Sequence, residues 1–342
     1  MRTKNKSLML IDYKSSGVNL DAADDSLNRI KALVKSARTP QVLGDVGLFA
    51  GAFRLPADQK KHPVLLASTD GVGTKLKVAF LAQKYDTVGE DLVNHCVNDL
   101  LANGADPLFF LDYYGCGKLN PSVQEEVVKG LVRACKANGI ALLGGETAEM
   151  PGFYQEGEFD LVGTIIGWAD KEDLILGKDI QPGDAVLGLP SVGLHTNGYS
   201  LARKALLEKA GLKLDQLIPE LGCTLGEELL KVHPSYLNAA RSIRKKVKIK
   251  GIAHITGGGI EGNLSRVLPE DCKMKINYGS WPLPPIFDLI GKLGPVEPEE
   301  MRRVFNMGVG MALVVTKEEA SEIEEKEYGG WRAFKMGEIE AS

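Results

Sequence analysis

An apolar run, Pro63-Val64-Leu65-Leu66-Ala67, empties directly into Ser68-Thr69-Asp70-Gly71-Val72-Gly73-Thr74-Lys75, eight residues that hold a carboxylate, two glycines, hydroxyls and an ammonium. The pattern predicts a strand followed by a loop built for phosphate and metal. Glycines let backbone N–H groups approach phosphate oxygens, Lys75 supplies positive charge, and Asp70 can hold a hard cation between them. A strand, a glycine turn and a surface lysine would look the same, so this segment alone leaves the two readings evenly balanced.

Further acids recur at comparable places. Asp99 sits in a segment whose Val88, Leu92, Cys96 and Leu100 repeat every fourth residue, as on one face of a helix. At about 100° per residue Asp99 falls at the edge of that stripe, partly buried, and needs either a core salt bridge or a metal to offset its desolvation. Ile140-Ala141-Leu142-Leu143 reads as a buried strand running into Gly144-Gly145-Glu146, which sets Glu146 as a third acid at a strand end. Two histidines stand beside glycine-rich turns: His195 before Thr196-Asn197-Gly198 and a helix-like Tyr199–Leu206, and His254 ahead of Gly257-Gly258-Gly259. Those contexts suit anion binding and proton transfer. His62, His95 and His233 have no such context and read as structural or surface residues.

Punctuation organises the rest. Strand-like and helix-like stretches alternate as far as Trp168, then Ala169–Asp173 and Gln181–Asp184 break the apolar pattern, so a domain boundary is expected near residue 170. Ser122-Val123-Gln124-Glu125 resembles a capping box ahead of a stripe through Val123, Val127, Leu131 and Cys135. Ala185–Pro190 and Gly310–Thr316 read as strands. Gly257-x-Gly259-x-x-Gly262 formally fits a dinucleotide fingerprint, but the next strand-like segment ends in Asn277 and Tyr278, without the acid that grips a ribose.

The 342 residues can support two substantial cores, and 44% hydrophobic content is ordinary for a globular chain. A net charge of −4 gives no basis for nucleic-acid or membrane affinity, and the apolar runs are far shorter than a membrane span. No leader is visible, so a cytoplasmic enzyme is expected. The five cysteines are widely spaced with no CxxC pair, and are expected as reduced packing thiols.

Six blocks occur in the order found in one family: Asp70–Lys75, Asn98-Asp99-Leu100, Gly144–Gly152, Ser191–Leu201, His254–Gly259 and Phe305–Met311. The chain resembles the phosphoribosylformylglycinamidine cyclo-ligases, with the likeness running from Asp12–Val18 to Met336–Ile339. The resemblance implies an α/β fold of α+β type in two domains: residues 1–169, binding ATP and metal, and residues 170–342, contributing substrate loops. It also implies a homodimer in which the first domains share a β-barrel. The implied reaction is ATP-dependent ring closure of formylglycinamidine ribonucleotide to 5-aminoimidazole ribonucleotide, ADP and phosphate, through an iminophosphate.

The same resemblance assigns roles. Mg²⁺ falls to Asp70, Asp99 and Glu146, the last either ligand or general base. The nucleotide falls to Lys14, Asp70, Gly71, Gly73, Thr74, Lys75, Asn98 and Asp99. The ribonucleotide falls to Gly144, Gly145, Glu146, Ser191, His195, Asn197, Gly198, His254, Thr256, Gly257, Gly258 and Gly259. Catalysis falls to Asp70, Lys75, Asp99, Glu146, His195 and His254. Two departures stand out: Asp45-Val46 interrupts a usually denser glycine run, and Tyr236 stands where an arginine is common. Related ATP-binding families fit less well: no Cys lies near Lys14, where selenophosphate synthetase generally has a Cys or selenocysteine, and Glu340-Ala341-Ser342 lacks the reactive Cys that ends the hydrogenase-maturation relative.

Overall fold

The computed structural model describes residues 16–44 and 50–342. Lys14, Asp45 and Val46 lie outside them. Two sheets are built on either side of residue 170. The first has the order Pro63–Gly71, Phe159–Asp170, Asp106–Cys116, Ala141–Glu149, antiparallel except for the last pair. The second orders Gly251–His254, Val309–Val315, Ala185–Pro190, Phe334–Ala341 and Cys272–Ile276, all antiparallel. Every residue of Val309–Val315 is buried, because apolar packing covers both of its faces; a continuous apolar run is what such a strand requires.

Local chemistry adjusts several expected boundaries. The strand from Pro63 continues through Ser68, Thr69 and Asp70 to Gly71, so the loop proper is only Val72 and the short 3₁₀ turn Gly73–Lys75. Full ladder pairing to Phe159–Asp170 carries it past its apolar stretch. Glu146 likewise lies in mid-strand, because Ala141–Glu149 stays paired through the glycines to Asp106–Cys116. Helix Pro121–Asn138 is capped by Asn120, whose Oδ1 accepts from Ser122 N at 3.1 Å and Val123 N at 3.4 Å, and not by Ser122. Pro121 explains the shift: with no N–H to leave unsatisfied, it is favoured as the first helical residue. The helix expected after Gly198 divides into a short α turn, Tyr199–Arg203, and a π turn, Lys204–Lys209.

Helix Asp86–Ala102 decides where the site lies. Its stripe of Val88, Leu92, Cys96 and Leu100 is buried as expected, and it packs between the first sheet and strand Gly251–His254. Covered on both sides, the helix buries a second, polar stripe: Asp91, Asn94, His95 and Asn98, at the i, i+3, i+4, i+7 spacing of one helical face. All five cysteines are free. No helix among the described residues is long and apolar enough to cross a membrane.

Candidate active site

A cavity of about 460 Å³ opens between the two sheets. Ser68, Asp70 and Asp99 line it from one half, and His254, Thr256 and Arg266 from the other. Asp70 stands in the penultimate position of its strand, where Oδ1 accepts from Gly71 N at 2.6 Å and Oδ2 from His95 Nε2 at 2.7 Å. Asp99, one helical turn beyond His95, accepts from His254 Nδ1 and from Ser68 Oγ, both at 2.9 Å. Burial raises both carboxyls, but the facing imidazoles outweigh it and hold each below the usual carboxylate range.

Behind the acids lies a cluster of four buried imidazoles: His95, His195, His233 and His254. His233 stacks on His195 with centroids 4.2 Å apart and meets His254 Nε2 to Nε2 at 3.1 Å. Burial pushes His195 and His233 well below the ordinary imidazole value and lowers His254; burial opposes His95 too, but Asp70 and Asp99 leave it raised. His195 adopts φ +60°, rare for a residue with a side chain, and its Nδ1 has no partner among the described residues.

His95 and His233 therefore belong to the site that their local sequence did not mark. Tertiary packing overrode the local reading: His95 lies on the buried polar stripe, and His233 arrives on a loop held by Asp91, Asn94 and Asn98. The polar periodicity of Asp91, Asn94, His95 and Asn98 was the available signal for His95. For His233 the sequence carries none.

Lys75 is placed differently from expectation. It is fully buried, 2.8 Å from Asp91 Oδ2, and it donates to the carbonyls of His195 at 3.2 Å and Lys231 at 2.7 Å. Burial pushes Lys75 down and Asp91 up, each opposed by the other's charge. With its donors so committed, the ammonium faces the second half of the chain and not the cavity. Arg266 is a cation that lines the cavity instead.

Glu146 is also apart from Asp70 and Asp99. It is exposed, accepts from Thr147 N at 2.8 Å, and shares a row of the sheet with Tyr113, Val162 and Gly71. Three strand spacings separate it from Gly71, on the order of 14 Å, because the acid belongs to the edge strand farthest from Pro63–Gly71. Gly144 and Gly145 share that strand.

The remaining expected residues form the second wall. Thr74 Oγ1 meets Ser200 Oγ at 3.0 Å across the two halves. Ser191 Oγ donates to Asn306 Oδ1 at 2.9 Å, and Asn306 Nδ2 donates to Gly193 O at 2.8 Å, so both hold the turn ahead of His195. Asn197 approaches Gly257, and Asn263 Nδ2 donates to Gly259 O at 2.8 Å to brace the 256–259 turn. Gly259 has φ +67° and lies where any Cβ would collide with Arg302 O, so only glycine fits. Tyr236, at the position of the missing arginine, is fully buried and donates to Pro190 O at 2.8 Å; it packs the core and faces no anion.

Residues 43–169 match the N-terminal domain, and residues 181–342 the C-terminal domain, of the AIR synthase related proteins. The chain is 52% identical to a phosphoribosylformylglycinamidine cyclo-ligase of Syntrophotalea carbinolica, over 96% of this chain and 95% of that protein. A cyclo-ligase of Thermodesulfovibrio yellowstonii is 51% identical over 91% of each. The chain belongs to the phosphoribosylformylglycinamidine cyclo-ligase family. Its fold is shared beyond that family. The hydrogenase maturation protein HypE, solved with ATP, superimposes with a TM-score of 0.65 at 18% identity, covering 92% of this chain and 86% of that one. Thiamine-monophosphate kinase from Stenotrophomonas maltophilia gives 0.64 at 17%, covering 93% and 94%. At such identities the likeness is one of fold.

Proposed function

We propose that this chain closes the imidazole ring of purine biosynthesis, converting formylglycinamidine ribonucleotide and ATP to 5-aminoimidazole ribonucleotide, ADP and phosphate. Identity of 52% across 96% of the chain to a cyclo-ligase carries the reading. An amide oxygen is a poor leaving group. Phosphorylating it to an iminophosphate lets the internal nitrogen attack and phosphate depart. The chain's part is positioning and charge management. Asp70 and Asp99, both kept ionised and open to the cavity, would hold a Mg²⁺, which would supply charge neutralisation at the phosphates. Glu146 is left outside this pair. His254, oriented by Asp99, lines the half of the cavity where the ribonucleotide's amidine is expected, and Arg266 offers charge to an anionic group. Purified protein given formylglycinamidine ribonucleotide and Mg-ATP should form equal amounts of ADP and aminoimidazole product. ATP use with thiamine monophosphate or selenide, and none with the ribonucleotide, would move the chain to another branch of the fold.

We further divide the chain at 169/170, with the cavity between the parts, and assign it to the cytoplasm as a homodimer formed by the outer face of the first sheet. Leu65 is 63% exposed there, and the strand register puts Ala67, Ile166 and Leu111 on the same face. Sedimentation should give twice the 37.0 kDa chain mass; an active monomer at micromolar concentration rejects the dimer.

A further inference from the structure

Lys75 spends its charge on Asp91 and two carbonyls, which leaves the cavity short of a cation. Among the described residues that line it, Arg266 is the one lysine or arginine. Arg266 is exposed, and no described residue takes a hydrogen bond or an ion pair from its guanidinium. Its backbone is fixed all the same. The 3₁₀ turn Ser265–Val267 carries it and packs against strand Gly251–His254, whose His254 meets Asp99. Leu264 just ahead is fully buried, and Ser265 Oγ donates to Gly262 O at 3.2 Å. A Cβ on Gly177 would collide with Val267 O, so the segment that joins the two halves lies close against the same turn. A braced turn thus presents five unpaired N–H donors and a permanent positive charge to the cavity.

Charge decides which ligand they meet. Both substrates of the proposed reaction carry phosphate. The triphosphate of ATP has its counter-charge in the Mg²⁺ that Asp70 and Asp99 would hold. A second phosphate entering a cavity that already carries two ionised carboxyls is repelled unless a separate cation receives it. The cavity is long enough to keep two phosphate groups apart: Leu66 and Asp70 both line it and stand four strand residues from each other, about 13 Å. A guanidinium also suits the task, since its planar fork pairs with two phosphate oxygens at once. Resting on the reaction proposed above, we infer that Arg266 binds the 5′-phosphate of the ribonucleotide and so selects the ribonucleotide over the ribonucleoside that lacks it. Arg266 is then a specificity-determining residue with no part in phosphoryl transfer.

Calorimetric titration of formylglycinamidine ribonucleotide and of its ribonucleoside into full-length protein, alongside steady-state kinetics, tests this in Arg266→Gln and Arg266→Lys. Arg266 is exposed and unpaired, so both variants are expected to fold. Arg266→Gln should weaken ribonucleotide binding and raise its KM by at least about tenfold, the worth of a charge-assisted hydrogen bond, with kcat and the KM for ATP within about threefold. Binding of the ribonucleoside should hardly change, because it has no phosphate to lose. Arg266→Lys keeps the charge without the fork and should fall between the two. An equal loss for ribonucleotide and ribonucleoside overturns the proposal, and so does a wild-type protein that binds the two alike. A rise in the KM for ATP with ribonucleotide binding intact also overturns it and gives Arg266 to the triphosphate. If the wild-type protein prefers the ribonucleotide through Arg266 but forms no aminoimidazole product, the proposed reaction fails while the phosphate contact survives.

Discussion

The loop ending at Lys75 and the loop from Lys231 to Tyr236 meet behind one site, yet only the first announces itself. Asp70, Thr74 and Lys75 crowd polar and charged side chains between the glycines Gly71 and Gly73 and beside them. The Lys231–Tyr236 segment has one histidine and no glycine turn or acid beside it. Its contribution is largely backbone: Lys231 O takes the Lys75 ammonium at 2.7 Å, His233 N donates to Asp91 at 2.7 Å, and His233 O takes Asn94 Nδ2 at 2.8 Å. Main-chain groups have no residue identity to read. Motif density locates chemistry, and it does not tell which charges reach the ligand and which join the walls.

The widest gap between these two readings is at Lys75. If it joins the walls, Lys75→Met leaves Asp91 charged and buried and should cost about 3–5 kcal/mol in urea unfolding, the usual penalty for breaking a buried pair. If it faces phosphate, stability should hardly change while ATP binding collapses. The first result is expected, because both partners of the pair are fully buried.

Asp70 is the converse case, a residue at the cavity whose value is catalytic. Asp70→Asn keeps the shape and removes the charge, so turnover should fall by at least about 10²-fold, roughly 2.7 kcal/mol, with little loss of stability. Normal turnover at limiting Mg²⁺ would make Asp70 a partner of His95 and nothing more.

The smallest effect tests the histidine cluster. His195 and His233 are held well below the unfolded imidazole value of 6.5, so the stability they bring is complete above that pH and is lost as pH falls. His95 is raised, and its contribution runs the other way: complete below 6.5 and lost as pH climbs through its folded value. Between pH 6.5 and 5 the depressed histidines pull stability down on acidification, opposed by Asp112, whose carboxyl is pushed up to about 7 by burial. With three lowered imidazoles against that one carboxyl, unfolding free energy should drop on acidification, and His233→Asn should remove about 1.4 kcal/mol per pH unit of that slope. An unchanged slope means that His233 is protonated in the folded protein.

Local sequence by itself determined the strands Ala185–Pro190 and Val309–Val315, the apolar stripe of helix Asp86–Ala102 and the candidate acids Asp70 and Asp99, because apolar period and side-chain type are properties of short stretches. Ordered motifs along the chain identified the family. The polar face of the same helix was written in the same period, at Asp91, Asn94, His95 and Asn98, but a polar stripe is ordinarily read as solvent-facing. Only the docking of strand Gly251–His254 and the 231–236 loop against it turned that stripe into the floor of a site. Lys75, His233 and Glu146 were decided wholly by tertiary structure. Lys75 meets a carbonyl 156 residues away and His233 an acid 142 residues away, while Glu146 is carried off by strand order, and none of these separations leaves a trace in local composition.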